Sequence, residues 1–181
     1  MKKKLWLGSL AIIIIFIAFA AYWFFPHTVA LNTEGFKYRL GKENIAYGES
    51  LQVHVNGKAY RRLGEKVKFI GEIQLEGKNT PINENRWQVE LLIDQTNGKL
   101  LYVRRNNTML HETIGTLFVN RNISEMTIAV MEEYEDGNGG GWSGEDGLMI
   151  SAPASNREEA LAVSNSLMAD YLKGAEAFKL E

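Results

Sequence analysis

The densest chemistry in this chain lies in sixteen residues, Glu132 to Gly147, which hold Glu132, Glu133, Glu135, Asp136, Glu145, Asp146, six glycines and Trp142. Carboxylates gathered on a pliable backbone suit a hard cation such as calcium, or a cationic group held over an indole face. The candidate ligand-binding residues are therefore Asp136, Asn138, Trp142, Glu145 and Asp146. Asp136-Gly137-Asn138 matches the opening of an EF-hand loop. The twelfth position, where a bidentate glutamate belongs, is Gly147, and no flanking helices are expected. The plainer reading, and the one expected here, is a solvated connection whose tryptophan folds back onto the domain.

Other motifs lack the partners that their chemistry needs. Gly139-Gly140-Gly141-Trp142-Ser143-Gly144 spells G-x-G-x-x-G, but acids flank it and no helix opens from it to meet a pyrophosphate. A nucleophile elbow at Ser143 would need glycine at 145, which is Glu145. His111-Glu112 begins a helical zinc-protease motif whose second histidine position is Gly115. His27, His54 and His111 are far apart in sequence, so neither a metal set nor a cofactor is expected. Glu72, Glu76 and Glu90 could share one sheet face, as a glycosidase pair would require, although half-solvated sheets carry such acids routinely. No residue is assigned a catalytic role.

Composition narrows the setting of these residues. The 181 residues include no cysteine, which excludes disulfides, thiolate metal sites and thiol nucleophiles. Setting aside Lys2, Lys3 and Lys4 leaves 17 basic against 22 acidic residues, a net charge of −5. An acidic domain binds polyanions poorly, so nucleic acid is not an expected partner.

What positions the domain is its N-terminus. Leu5 to Phe25 is uncharged for 21 residues, about 30 Å as a helix and enough for a bilayer core. Three lysines before it predict a cytoplasmic N-terminus and an exported remainder. Ala18-Phe19-Ala20 also fits a signal-peptidase site, but the apolar run continues through Tyr22-Trp23-Phe24-Phe25 to Pro26 like an interfacial aromatic belt. The expected layout is a cytoplasmic tail (1–4), a transmembrane signal-anchor helix (5–25), a stalk with a first strand near 36–40 (26–49) and an extracytoplasmic domain (50–181). Eukaryotic exported domains of this size usually carry disulfides, so the absence of cysteine fits a bacterial, single-pass membrane protein better.

Hydrophobic alternation predicts strands at 51–56 and 59–63 joined by a tight turn at Asn56-Gly57, then at 66–76 and 87–93. Asn97-Gly98 predicts a second hairpin into 100–104, followed by strands at 114–120 and 125–132. The last, Met126-Thr127-Ile128-Ala129-Val130-Met131, reads as a central strand covered on both faces. Ser155-x-x-Glu158 predicts a capping box opening a helix that ends at Gly174. Its stripe through Ala160, Leu161, Ser164, Leu167, Met168, Tyr171 and Leu172 is expected to pack on the face of Val67, Ile73, Trp87 and Leu91. The expected fold is α+β: an N-terminal transmembrane helix, then a meandering antiparallel sheet with one C-terminal helix packed on it.

Without a catalytic set, the expected function is that of a membrane-anchored accessory or binding domain working through protein–protein contact. Ile70, Leu92 and Leu101 form its candidate patch. The alternatives are a carboxylate-dependent hydrolase of envelope polymers and a calcium-binding surface domain.

Overall fold

The computed structural model of the chain describes residue 10 and residues 12–19, 25–61, 67–77, 86–93, 99–104, 111–134, 137, 139–173 and 179–181. Among the described residues ten strands follow in order: β1 (His27–Arg39), β2 (Gly48–Arg61), β3 (Val67–Glu76), β4 (Arg86–Ile93), β5 (Lys99–Arg104), β6 (His111–Val119), β7 (Met126–Val130), β8 (Glu132–Glu133), β9 (Gly140–Gly141) and β10 (Leu148–Ala152). Two helices close the chain, α1 (Arg157–Leu167) and α2 (Ala169–Lys173). Eight strands form one antiparallel sheet in the order β4-β3-β2-β1-β10-β7-β6-β5, and β8 pairs with β9 in a separate ribbon.

That sheet has to curl. Laid flat, eight strands would put β4 and β5 about 34 Å apart. Only residues 94–98 join them, a link that spans about 20 Å at most. The two outer strands are accordingly in contact, although no ladder joins them among the described residues.

The inner face of the curl carries the larger apolar cluster. It draws Val53 and Val55 from β2, Phe69 and Ile73 from β3, Leu91 from β4, Leu117 from β6, Ile128 from β7 and Ile150 from β10. Residues from strands at opposite ends of the sheet can meet only on its concave side. A second cluster, with Tyr38, Leu40, Ala129, Met149, Ala160, Met168 and Leu172, lies between the convex face and the helices. Consequently β7 and β10 are buried at every position, and each such Ile or Met side chain contributes about 1.5–3 kcal/mol.

Several sequence expectations need correcting. The chain over 27–39 is sheet, not stalk: β1 starts at His27, nine residues before the strand expected at Phe36. Asn56-Gly57 is not a turn, because β2 runs unbroken from Gly48 to Arg61. Gly57 instead faces Val29 and Gly71 in the ladder, where an added Cβ would lie 2.5 Å from the Ile70 carbonyl oxygen and 2.7 Å from Gly71 Cα. Glycine is required there for close approach, not for a bend. Among the described residues no ladder joins β4 and β5, and the hairpin expected at Asn97-Gly98 lies outside them.

β10 was missed altogether. Leu148-Met149-Ile150 shows no alternation because both of its faces are covered. The helix packs on the opposite side from the one expected, over β1, β7 and β10. Its buried residues are Ala160, Ser164, Met168 and Leu172, while Leu161 and Leu167 are half-buried. The side chain of Trp87 and residue Gly174 lie outside the described residues.

The capping box is shifted by one residue: Asn156 accepts from the Glu159 N–H at 3.0 Å, and Glu159 reaches back to the Ser155 N–H at 2.8 Å. At the N-terminus, Leu10 and residues 12–19 are helical and exposed, from 45% at Leu10 to 73% at Phe16. Among the described residues no helix is both long and apolar enough to cross a membrane.

Candidate functional site

The acidic stretch is more ordered than a plain connection. β8 and β9 pair, and the turn between them is held by bonds from Tyr134 N–H to the Gly139 carbonyl and from Gly137 N–H to the Tyr134 carbonyl, both 2.9 Å. Gly137 and Gly139 adopt positive φ (69° and 109°), which explains their residue type. Glu132 is taken by the guanidinium of Arg39, whose other nitrogen donates to the Asp146 carbonyl at 3.0 Å.

Ser143 is spent on the backbone. Its hydroxyl accepts from the N–H groups of Glu145 and Asp146 at 3.1 and 3.4 Å. Trp142 is half-buried against the convex-face cluster, its indole so close to Gly147 that an added Cβ would lie 2.5 Å from Nε1. Glu145 and Asp146 are exposed on a turn, and Asp136 and Asn138 lie outside the described residues. Among the described residues no group of three His, Asp or Glu side chains could hold a metal ion.

The carboxylates of the hydrolase alternative are also spread out. Glu72 and Glu76 line a shallow cleft of about 420 Å³ on the outer face with His54, Asn56 and Gln74. They stand four residues apart on one strand, about 13 Å between Cα atoms. Gln74 donates to Glu76 at 2.7 Å, and His54 Nε2 lies 3.9 Å from its other oxygen. The side chain of Glu90 and residue Asp94 are outside the described residues.

The chemistry instead collects at the two open ends of the curl, and one strand shows why. β1 sends Phe36 and Tyr38 to the convex-face cluster and Val29 and Leu31 to the inner one. Strand alternation then puts His27, Lys37 and Arg39 on the inner row, polar at both ends and apolar in the middle. At the far end Lys37, 3% exposed, pairs with Glu49 at 2.8 Å, and Arg39 joins Glu132 beneath the Tyr47 ring, 5.8 Å from its centroid. Hydrogen bonding to Glu132 raises the Arg39 pKa still further, fixing its charge. Around these pairs Ile45, Tyr47, Met131 and Tyr134 are exposed. Of the patch expected from sequence, only Ile70 is described at side-chain level; it is 42% exposed on the outer face.

At the near end, a cleft of about 480 Å³ is lined by His27, Thr28, Val29, Ala59, Arg61, Val67, Arg121 and Asn122. Sequence reasoning missed this constellation, since Arg61 and Arg121 meet only once the curl is formed. A third feature, also missed, is a fully buried hydroxyl cluster between sheet and helix, formed by Tyr38, Thr127, Ser151 and Ser164. No family model, curated protein or solved structure matches this chain.

Proposed function

We propose that this protein is a membrane-anchored, extracytoplasmic accessory domain that binds another protein through the far end of its curled sheet. The observation that carries the reading is the exposure of large apolar side chains all round residues 12–19, next to a domain whose own cores are closed. Neither apolar cluster of the domain includes any of them. A helix apolar on every side is at home in lipid, and the three lysines before it favour a cytoplasmic N-terminus.

The segment leads within a few residues into His27, so the near end of the curl would face the membrane and the far end would project outward. Tyr47, Tyr134, Met131 and Arg39, gathered at that far end, are residue types enriched where proteins bind one another. Tethering adds to such binding by raising the effective concentration near membrane partners.

The absence of cysteine makes the test simple, because any introduced thiol is unique. In intact cells a membrane-impermeant maleimide should label Ser143→Cys and leave Lys3→Cys untouched. Photo-crosslinkers at Tyr47 and Tyr134 should give one discrete adduct that a crosslinker at Glu72 does not. Labelling of Lys3→Cys alone would refute the orientation, and identical adducts from all three positions would refute the far-end interface.

A further inference from the structure

We propose that β1 takes up a further strand: an extended segment of another protein, carrying a basic residue, pairs antiparallel with the open edge of residues 28–32, in line with β10. This surface is separate from the far-end interface proposed above and does not depend on the anchor.

β10 covers only one end of β1. It pairs with Phe36, Lys37, Tyr38 and Arg39, whereas β2 pairs with β1 from His27 to Tyr38. Pro153 follows Ala152 and has no N–H with which to carry the ladder on. The chain turns away there toward α1, and the Ala154 N–H bonds the Glu34 carbonyl at 3.0 Å.

In an antiparallel ladder each residue turns its N–H and C=O to one neighbour, and successive residues alternate. The Leu40 N–H donates to the Gly147 carbonyl at 3.1 Å, and Tyr38 and Phe36 lie opposite Met149 and Ser151. The even-numbered residues of β1 therefore face the β10 side, and Thr28, Ala30 and Asn32 present their N–H and C=O groups along it. Among the described residues nothing pairs with them there. A row of unmet donors and acceptors is a template for an added strand, which proteins usually blunt with charges or proline. Thr28, Ala30 and Asn32 are exposed and uncharged.

Both faces of that edge have room for side chains. On the inner face, the cleft of about 480 Å³ reaches from Thr28 and Val29 to Arg121 and Asn122, with Ala59 and Val67 beside Val29. On the convex face a cleft of about 470 Å³ lies between β1 and α1, lined by Glu34, Pro153, Ala154, Glu159, Ala162 and Val163 among others. No basic side chain lines it, and both its acids are exposed. The Ser155 N–H and hydroxyl hold the Glu159 carboxylate in place, each at 2.8 Å. An added strand alternates as β1 does, so every second side chain enters the inner cleft over Val29, Ala59 and Val67. The others lie on the convex side, where a lysine or arginine level with Glu34 meets two carboxylates. Main-chain bonds supply the affinity of such a complex and the two clefts its preference. A second copy of this chain suits the edge less well, because Thr28, Ala30 and Asn32 bring no base to Glu34.

The test uses the full chain in detergent solution and a capped peptide of alternating valine and threonine led by one lysine. Fluorescence anisotropy measures binding, and amide exchange followed by NMR locates it. The peptide should slow exchange at Thr28, Ala30 and Asn32, and leave Val29 and Leu31, which face β2, little changed. N-methylation of the peptide residues that face β1 should abolish binding, while N-methylation of the intervening ones should not. Ala30→Pro removes a donor from the edge and none from the β2 ladder, and should weaken binding about tenfold. Glu34→Gln should weaken the lysine-led peptide about threefold, as for an exposed ion pair, and leave a glutamine-led peptide unaffected.

Unchanged exchange at Thr28, Ala30 and Asn32, equal binding by the two N-methylated peptides, or undiminished binding by Ala30→Pro overturns the added strand. Should Ala30→Pro melt far below the native protein, the two N-methylated peptides on the native chain decide alone. Protection of the three residues without peptide, lost on dilution, means that a second copy fills the edge and overturns the partner. Undiminished binding of the lysine-led peptide by Glu34→Gln overturns the basic residue.

Discussion

Replacing Ser164 by alanine removes the centre of the hydroxyl cluster that joins helix to sheet. Its Oγ lies 2.5 Å from the Tyr38 hydroxyl, 2.7 Å from Ser151 Oγ, 3.0 Å from Thr127 Oγ1 and 3.0 Å from the Ala160 carbonyl oxygen. One hydroxyl offers a single donor and two acceptor sites, so at most three of these four contacts form at once. After the substitution Ser151 and Thr127 still bond each other at 2.7 Å, and Thr127 still donates to the Ile150 carbonyl at 3.2 Å. Tyr38 loses its shortest bond and keeps Ser151 and the Ala160 carbonyl at 3.4 Å, a weak contact. The cost therefore falls on one buried, poorly satisfied phenol, about 1–3 kcal/mol.

Tyr38→Phe removes the phenol hydroxyl instead, leaves Ser164 well bonded and should cost about 1 kcal/mol. The double variant should then cost less than the sum, with a coupling of about 1 kcal/mol. Urea unfolding of all four proteins measures each value, and every kcal/mol should move the melting temperature by about 2–4 °C. Strict additivity, or a Ser164→Ala cost below about 0.5 kcal/mol, would place these hydroxyls in separate environments and refute the cluster.

The same cycle carries a pH signature. Burial raises the Tyr38 pKa above its ordinary 10.0, opposed by its bonds to Ser164 and Ser151 and by the Arg157 charge. The folded protein then keeps the proton where the unfolded chain releases it. Stability is full below pH 10 and falls as pH rises beyond it. Tyr38→Phe should flatten that alkaline slope.

Met168→Ala removes a fully buried side chain from the convex-face cluster and should cost about 2–5 kcal/mol in chemical unfolding, clearly more than Leu167→Ala at its half-buried neighbour. Equal costs would mean that the helix presents a different face. Gly57→Ala drives a methyl into the backbone of β3 and should cost about 1–3 kcal/mol by the same assay, whereas Gly137→Ala meets nothing within 4 Å and pays only for its positive φ. The Glu159 carboxyl is held below its usual pKa by the Ser155 N–H and then by the Ser155 hydroxyl, so its contribution to the cap is present at neutral pH. That contribution is lost as pH falls through the lowered value. Amide exchange at Ser155 should accelerate over that acid range in the native protein and be fast throughout in Glu159→Gln.

The strands with one covered face were legible because alternation reports a single buried side. β3 was expected at 66–76 and is found at Val67–Glu76, and the unbroken apolar run of β7 gave away a strand covered twice. β10, equally apolar and equally covered, was passed over because it follows a glycine-rich acidic stretch that reads as loop to its end. Asn56-Gly57 misled for a different reason. Those two residues suit a tight turn, yet Gly57 is needed where β2, β3 and the Phe69 ring crowd together, and sequence alone does not separate a glycine that bends from one that lets chains approach. The helix face was legible, since Ala160, Ser164, Met168 and Leu172 of the expected stripe are buried, but the sheet face beneath it was misread, because helical spacing does not say that Ala160 and Ser164 meet Tyr38, Thr127 and Ser151 on the convex side.

The site was less legible than the fold, since carboxylates clustered in sequence drew attention to Glu132–Gly147 while cations clustered only in space. In a curled sheet the inner rows must be apolar along their middle, so their charged residues are confined to the two ends. At the far end each inner-row cation of β1 has its own carboxylate, Lys37 with Glu49 and Arg39 with Glu132, and charges neutralised in pairs give that end a fixed structure with little pull on a small ion. At the near end His27, Arg61 and Arg121 line one cleft. The far end, its charges paired, is surrounded by the exposed side chains of Ile45, Tyr47, Met131 and Tyr134.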